Sequence, residues 1–585
     1  MNGADILAKM LSLYEVRYIF GLPGDTNTAL YAALSAHGSM THVLTRDERG
    51  AGCMADAYAR ISGRPGVVEV PSGGGPLYAL PSVAEAHLSQ IPVIIITSDT
   101  PLGSEGRGFI TAVDCVRVFE PVTKASIQVK SAHLIPEVVR RAFRIATSGC
   151  PGAVHISVPE DIYHQEVDAG TLSFHVEREC TRFPAFPAKA RSGDVEMLAA
   201  LVGQAKRPLL VAGGGVNRSG AGAALSRMAQ RSGIPVVTTI TGQNVMPDRD
   251  ELAIGVIGDN GFHPHALRAL EEADLVVYVG CKLGSTMTIG WSFPAPRAGR
   301  KVVQIDVDPE VLGNGAEYTL GIVGDAREVL NAFNELPVPA SQARDVRWVP
   351  TLNSWRRRFW DATRAELESL AADPALTPLP PQLVIDALAQ RLAQPHYIVS
   401  DPGTPTPYLC RLLRLDDGRS RLIFQRALGA LGYAIPAVVG VWYADPTLRP
   451  IGLFGDGSLG MSVGELETIS RLGIPAVLVN FNNSSFGYIA ALQRSQKHPR
   501  GMSVDFSSQD CAALARAYGI RAIRIENRRD LEAGMDEAFA HPGPVFLDIV
   551  VRSVAEETPP MYTWLRRHGI DPLKVAGQDL VMEPI

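Results

Sequence analysis

The chain has 585 residues, of which 46% are apolar and 20% charged, with a formal net charge of −6 and a pI near 6.1. That length exceeds what one hydrophobic core organises and calls for three or four domains, while the acidic balance argues against a nucleic-acid or anionic-membrane surface. The seven cysteines (Cys53, Cys115, Cys150, Cys180, Cys281, Cys410, Cys511) are scattered and form no CxxC pair, which excludes a disulfide framework or zinc ribbon and fits a reducing, cytoplasmic compartment.

In chain order, MNGADILAKMLSLYEV is amphipathic with Asp5 early and lacks a basic region followed by an apolar core, so it reads as a first helix and not as a signal peptide. YIFGLPG, THVLT, GVVEV, PVIIIT and AVHISVP read as strands separated by helical patterns; even PVIIIT is too short to span a membrane. Repeated βα units imply a parallel sheet covered on both faces, and this first block is expected over 1–175, followed by a Pro-rich linker, FPAFPAKA (Phe183 to Ala190). A second block over 190–340 repeats the pattern with RPLLVAGGGV, IPVVTTI, ADLVVYVGC and KVVQIDVDP. Its GGG, Gly213 to Gly215, completes no GxGxxG fingerprint and is read as a tight strand-to-helix turn without a ligand. A charged helical connection (Ser354 to Leu370) and the cluster TPLPPQ lead to a third block over 375–553, which contains YIVSDPGTPTPYL, IGLF, PAVLVNF and PVFLDIVV. The tail, 554–585, has no strong periodicity and reads as a lid or arm. The fold class is therefore α/β, with three doubly wound parallel-sheet domains.

The chemistry concentrates between Gly455 and Gly487. The run IGLF stops at Gly455-Asp456-Gly457-Ser458, a glycine-rich turn expected ahead of a helix, where backbone N–H groups suit a diphosphate. Asp456 is an odd neighbour for phosphate unless a cation stands between them. The next run, PAVLVNF, ends in Asn482-Asn483, so a carboxylate and an amide close two consecutive parallel strands that open onto one crevice. An Asp, an amide oxygen and diphosphate oxygens form a hard site suited to Mg²⁺.

GDG followed, after a helix and a strand, by NN resembles the signature of thiamine-diphosphate (ThDP) enzymes, and the order of the three blocks resembles the acetolactate synthase and pyruvate decarboxylase superfamily over nearly the whole chain. The resemblance implies Asp456, Asn483 and the carbonyl of Ser485 as Mg²⁺ ligands, with Gly457 and Ser458 facing the diphosphate. It places Gly403 and Thr404, after YIVSD, at a second diphosphate-contacting turn. Within GALGYAIPAVVG, which reads as an apolar helix, it makes Leu431 the wedge between the cofactor rings and the Gly429 carbonyl an acceptor from the aminopyrimidine. THVLTRDERGAGCMADAYARISGRPGVV matches the layout around the family's glutamate, so Glu48 is the expected catalytic carboxyl, with Asp47 where a histidine is common. A carboxyl on the pyrimidine favours the imino tautomer that activates C2. The implied chemistry is attack by the C2 carbanion on a 2-oxo acid, loss of carbon dioxide, and protonation or carboligation of the enamine.

Several segments depart from either family pattern. SGGGPLY (Ser72 to Tyr78) stands where SGPG and an asparagine are common, no paired histidines occur near Leu102 to Ile110, and Ile489 replaces a later acid. Asp25 in GLPGD resembles the decarboxylases and is a second catalytic candidate, its plainer alternative being a cap for the helix starting in TNTALYAAL. PVTK (Pro121 to Lys124) resembles the synthases, with Thr111 in place of their glutamine. Thr286 to Trp291 departs from the stretch associated with FAD, so no FAD is expected. The leading expectation is acetolactate synthase-like carboligation on a small 2-oxo acid and possible carbonyl acceptor. The alternatives are a non-oxidative 2-oxo acid decarboxylase and an inactive cofactor-binding homologue. The resemblance also implies a homodimer or homotetramer with sites shared between subunits, and no nucleic-acid or membrane partner.

Overall fold

In the computed structural model, which describes residues 1–337, 343–496 and 501–582, the named strands form three six-stranded parallel sheets. The first contains β1 (Tyr18–Gly21), β2 (Thr41–Leu44), β3 (Gly66–Val70), β4 (Val93–Asp99), β5 (Ala125–Gln128) and β6 (Val154–Pro159), in the order β2-β1-β3-β4-β6-β5. The second contains β7 (Pro208–Ala212), β8 (Val236–Thr238), β9 (Ala253–Val256), β10 (Leu275–Val279), β11 (Lys301–Asp306) and β12 (Leu320–Val323), in the order β12-β11-β10-β7-β8-β9. The third contains β13 (His396–Ser400), β14 (Arg421–Phe424), β15 (Arg449–Gly455), β16 (Val477–Asn482), β17 (Arg521–Ile525) and β18 (Val545–Val550), in the order β14-β13-β15-β16-β18-β17. The third order repeats the first, strand for strand.

Continuous apolar runs become strands buried on both faces, as in β3, β4, β7, β10 and β13, because helices cover each sheet on two sides. The first and third sheets share a core. Helix Glu48–Ser62 packs on helix Ala434–Ala444 so closely that a Cβ at Gly440 would stand 2.0 Å from the Met54 carbonyl oxygen. Met54, Tyr58, Val438 and Val441 belong to this one apolar cluster.

Four local expectations change. The segment read as a linker is strapped onto the first domain: Phe183 is buried and donates to the Gly63 carbonyl at 3.1 Å, and Ala185 donates to Thr147. The glycine-rich turn after β15 is itself helical from Asp456 to Ser462, and a second helix, Glu465–Leu472, follows a break at Val463-Gly464. Leu431 lies in a loop, because Gly429 (φ +77°) and Gly432 (φ +88°) adopt left-handed backbone and helix begins only at Ala434. The tail docks on the middle domain: Tyr562 donates to the Asp259 carbonyl at 2.8 Å, and Val575 and Leu580 are buried in that domain's core. The expected end of the middle block at residue 340 and positions 583–585 lie outside the described residues. No described helix is long and apolar enough to cross a membrane.

Candidate active site

An open α/β sheet binds ligands where its strand order reverses, outside the carboxyl ends of the strands. In the third sheet that point lies between β13 and β15, and the segments leaving them carry Asp401 to Thr404, in a loop, and Asp456 to Ser458, at the start of a helix. β16, adjacent to β15, brings Asn483 to the same edge. The Asp456 carboxylate accepts from the backbone N–H of Gly457 (2.9 Å), Asn483 (3.1 Å) and Ser484 (2.5 Å). Burial nevertheless pushes its pKa up to about 6, so this carboxylate is short of positive charge. Asn483 Oδ1 accepts from Ser485 N–H at 3.2 Å, so these two expected ligand residues share one tight loop, to which the Asp456 carboxylate is tied through Asn483 and Ser484. One half-buried carboxylate, one amide oxygen and backbone carbonyls suit a hard divalent cation, whose charge would relieve the penalty on Asp456.

The two proposed diphosphate turns differ. Gly403 (φ +121°) and Gly429 have no atom within 4 Å of where a Cβ would stand, leaving open cradles for a ligand. At Gly457 a Cβ would meet Phe486 at 2.7 Å, so its glycine is required by ring packing. Ser458 is buried and its hydroxyl bonds Asp401, which leaves its backbone as the part that could face phosphate. Thr404 is buried and stands immediately ahead of helix Pro405–Leu412, to which its side chain makes no cap bond. Sequence reasoning gave Asp401 no role, yet it is fully buried and accepts from the N–H groups of Gly432 (2.9 Å), Tyr433 (2.9 Å) and Ala434 (2.6 Å). An acid closing an otherwise buried apolar strand was the available signal.

The first sheet reverses between β1 and β3. Glu48 is the first residue of its helix, behind Asp47, whose side chain caps Arg49 N–H at 2.7 Å. Burial raises the Glu48 pKa, with the charges of Asp47 and Glu69 adding to the effect. Its carboxylate lies 3.2 Å from where a Cβ of Gly75 would be. Thr26, Ser72 and Thr111 form a hydroxyl chain (3.1 and 2.8 Å) that ties together the loops after β1, after β3 and around Thr111. Asp25 is exposed beside this chain and does not cap the next helix: Asn27 occupies that cap position and its side chain accepts from Gly24 N–H at 2.7 Å. Among the described residues nothing bonds the Asp25 carboxylate. Ile489 is 45% exposed, and Lys124 of PVTK is occupied by the carbonyls of Ile145 and Ser148.

The middle sheet reverses between β7 and β10, where a cavity of about 360 Å³ is lined by Gly213, Gly214, Arg218, Lys282 and Arg426. The triple glycine is demanded by close backbone approach, since a Cβ at Gly213 would stand 2.2 Å from the Gly280 oxygen. Arg218 donates to Gln90 and Lys282 to the Leu88 carbonyl, both at 2.8 Å, so the cleft's cations also tie it to the first domain.

Three family descriptions match in succession: the thiamine pyrophosphate enzyme N-terminal TPP binding domain over residues 1–118, the central domain over 195–333 and the C-terminal TPP binding domain over 401–549. A probable acetolactate synthase large subunit of Methanocaldococcus jannaschii is 32% identical over 560 residues, covering 94% of this chain and 92% of that protein. The acetolactate synthase isozyme 3 large subunit of Escherichia coli K12 is 30% identical over 584 residues, covering 98% of each chain. The acetolactate synthase large subunit of Corynebacterium glutamicum is 29% identical over 570 residues, covering 96% and 88%. With its two crevices built on the N- and C-terminal matches and these relatives spanning it almost end to end, the chain belongs to the thiamine pyrophosphate enzymes and is acetolactate synthase-like.

Proposed function

We propose that this enzyme uses ThDP and Mg²⁺ to decarboxylate a small 2-oxo acid and transfer the remaining acyl unit to a second carbonyl compound. The observation that carries the reading is the convergence of Asp456, Asn483 and the open Gly403 and Gly429 turns at the reversal point of the third sheet. When bound, ThDP supplies a nucleophilic carbon and the electron sink for loss of carbon dioxide. The chain's own residues set the conditions. Asp456, Asn483 and the Ser485 carbonyl would hold Mg²⁺, and the Gly403–Thr404 and Gly457–Ser458 turns would receive the diphosphate. Leu431 would wedge between the rings, and the Gly429 carbonyl would accept from the exocyclic amine. Glu48, whose pKa burial raises, is the carboxyl suited to hydrogen-bond a ring nitrogen.

Carboligation is favoured over aldehyde release by Ile489, which offers no proton on its side of the pocket. A decarboxylase is the second reading, favoured by the exposed Asp25 carboxylate. Feeding pyruvate with a panel of aldehyde and 2-oxo acid acceptors, followed by mass-spectrometric product analysis, decides between them. Dominant free aldehyde at saturating acceptor, abolished by Asp25→Asn, would establish the decarboxylase.

A homodimer or homotetramer completes the reading, with each site shared between the first domain of one chain and the third of another. Leu77, Tyr78 and Ile110 near one crevice, and Leu428 and Met461 near the other, expose 40 to 80% of their surface, as interface residues do. A light-scattering mass of one chain at full activity would contradict this. The free cysteines fit a cytoplasmic location. The middle cleft is read as working without FAD, from the Thr286 to Trp291 segment. A stoichiometric flavin absorbance band after washing would overturn that.

A further inference from the structure

The loop from Ala427 to Tyr433 carries Gly429 and Leu431, yet it has no regular hydrogen-bonding pattern of its own. Two of its glycines have positive φ and Leu428 is 45% exposed, so its conformation must be imposed from outside. Asp401 of the same domain holds the end at Gly432 to Ala434. The other end is held from a different domain. Glu85, on helix Gly74–Leu88 of the first domain and 1% exposed, accepts from Leu428 N–H at 2.6 Å and Ala427 N–H at 3.3 Å. Arg60 lies 3.6 Å from Glu85 and bonds Asp56 at 2.8 Å, and Asp56 accepts the Tyr433 hydroxyl. One buried chain of first-domain charges, Asp56, Arg60 and Glu85, therefore grips both ends of the loop.

We propose that Glu85 is a positioning residue for the cofactor: through Ala427 and Leu428 it sets the Gly429–Leu431 segment, so each first domain shapes the third-domain half of a site within its own chain. This rests on the reading that Gly429 and Leu431 contact ThDP. A carboxylate is required at this point because every group facing it donates: two backbone N–H groups, the Ser89 hydroxyl at 2.7 Å and the Arg60 guanidinium. An amide would turn one acceptor into a donor and leave Arg60 with only Asp56 as a carboxylate neighbour. Without its N-terminal anchor the loop regains backbone freedom, and the cost falls on cofactor binding and alignment.

The test uses the full-length protein with ThDP and Mg²⁺. Affinity is measured by calorimetry, cofactor state by near-ultraviolet circular dichroism, and activation by hydrogen–deuterium exchange at C2. Glu85→Gln should weaken ThDP binding about tenfold, the loss expected for one hydrogen bond to a charged group, change the dichroism of the bound cofactor and slow C2 exchange. KM for the 2-oxo acid should stay within about twofold, because Glu85 touches the loop's backbone and not the substrate pocket. Glu85→Asp keeps the charge and should recover part of the loss; it is also the variant to read if Glu85→Gln does not fold. A Glu85→Gln protein that melts earlier but binds and activates ThDP like the parent would reduce Glu85 to a structural brace and overturn the proposal. Leu431→Ala is measured alongside. If it weakens binding while Glu85→Gln and Glu85→Asp are silent, only this inference fails; if all are silent, the cofactor reading fails and the inference with it.

Discussion

Glu465→Gln should make the protein more stable at alkaline pH while leaving it almost unchanged near pH 4. Glu465 opens helix Glu465–Leu472 and is 1% exposed. Its Oε1 accepts from the N–H groups of Arg46 (3.0 Å) and Asp47 (3.1 Å), immediately ahead of Glu48, and its Oε2 from the Thr468 hydroxyl at 2.7 Å. The fit is close enough that a Cβ at Gly50 would lie 2.3 Å from Oε1. Burial, aided by the Asp47 charge and opposed by these hydrogen bonds, raises the pKa from 4.5 to about 7. Between those values the folded chain holds a proton that the unfolded chain has released, so stability is fully present below 4.5 and is lost as pH rises through about 7. At about 1.36 kcal/mol for each tenfold difference in proton affinity, the loss is about 3 kcal/mol. A glutamine reproduces the protonated carboxyl, its oxygen taking both N–H groups and its amide donating to Thr468. It has no proton to lose. Thermal melts of apoprotein at fixed concentration should therefore nearly coincide near pH 4 and separate in the variant's favour near pH 8, by about 2–3 °C, because an unfolding entropy of about 2.1 cal/mol/K per residue amounts to about 1.2 kcal/mol/K over the 585 residues. Parallel pH profiles, or a variant less stable near pH 8, would refute the claim that this carboxyl resists ionisation.

Asp456→Ala should abolish tight ThDP binding in calorimetry while the fold survives, since it removes the one charged oxygen of the expected Mg²⁺ set; unchanged affinity would misplace the cofactor. Glu48→Gln keeps shape and should retain ThDP but slow C2 hydrogen–deuterium exchange by about 10²-fold or more, and a normal rate would remove Glu48 as activator. Gly440→Ala would drive a methyl into the Met54 carbonyl at 2.0 Å. It should cost about 1–3 kcal/mol by overpacking and lower ThDP activation as helix Glu48–Ser62 shifts, and a wild-type melting temperature would count against the tight helix pair.

Central strands were legible because burial on both faces demands an unbroken apolar run, as in PLLVA and LVVYV. The strands that sequence reading passed over, β5, β9, β12, β14 and β17, are all at sheet edges. Their residues are in part only half-buried, as throughout ASIQ at β5 and in most of RAIRI at β17, so their apolar signal is thin. β2, the remaining edge strand, was read because THVLT stands between clear helices. The meeting of Asp456 and Asn483 was legible because each follows the end of one of two adjacent strands. Asp401 and Glu85 were not: Asp401 acts on residues 31 to 33 positions away and Glu85 on residues 342 and 343 positions away. A buried acid gives such a bond no sequence spacing by which to recognise it. Glu85, an acid amid the buried VAEA stretch, and Asp401, an acid ending a buried strand, were nonetheless anomalies against burial preference.

The repeated strand order of the first and third sheets explains why the chemistry divides as it does. Each reversal point gathers the loops of its own few strands, so the two sheets present different side chains at their crevices. The third sheet collects Asp456, Asn483 and open glycine turns, and the first collects Glu48, Asp25 and the hydroxyl chain of Thr26, Ser72 and Thr111. The packing of Gly440 on Met54 makes helices Glu48–Ser62 and Ala434–Ala444 one unit, and the Asp56–Arg60–Glu85 chain extends that unit to the loop bearing Leu431. A displacement of the first-domain helix is thus felt simultaneously at Glu48 and, through Glu85, at the loop of the other half. What this rigid frame leaves unconstrained is Asp25, exposed at the first reversal point and released from the capping role by Asn27. On the proposed reading, the frame would fix where the cofactor is held, and Asp25, exposed and unbonded among the described residues, would be the group whose substitution tells aldehyde release from carboligation.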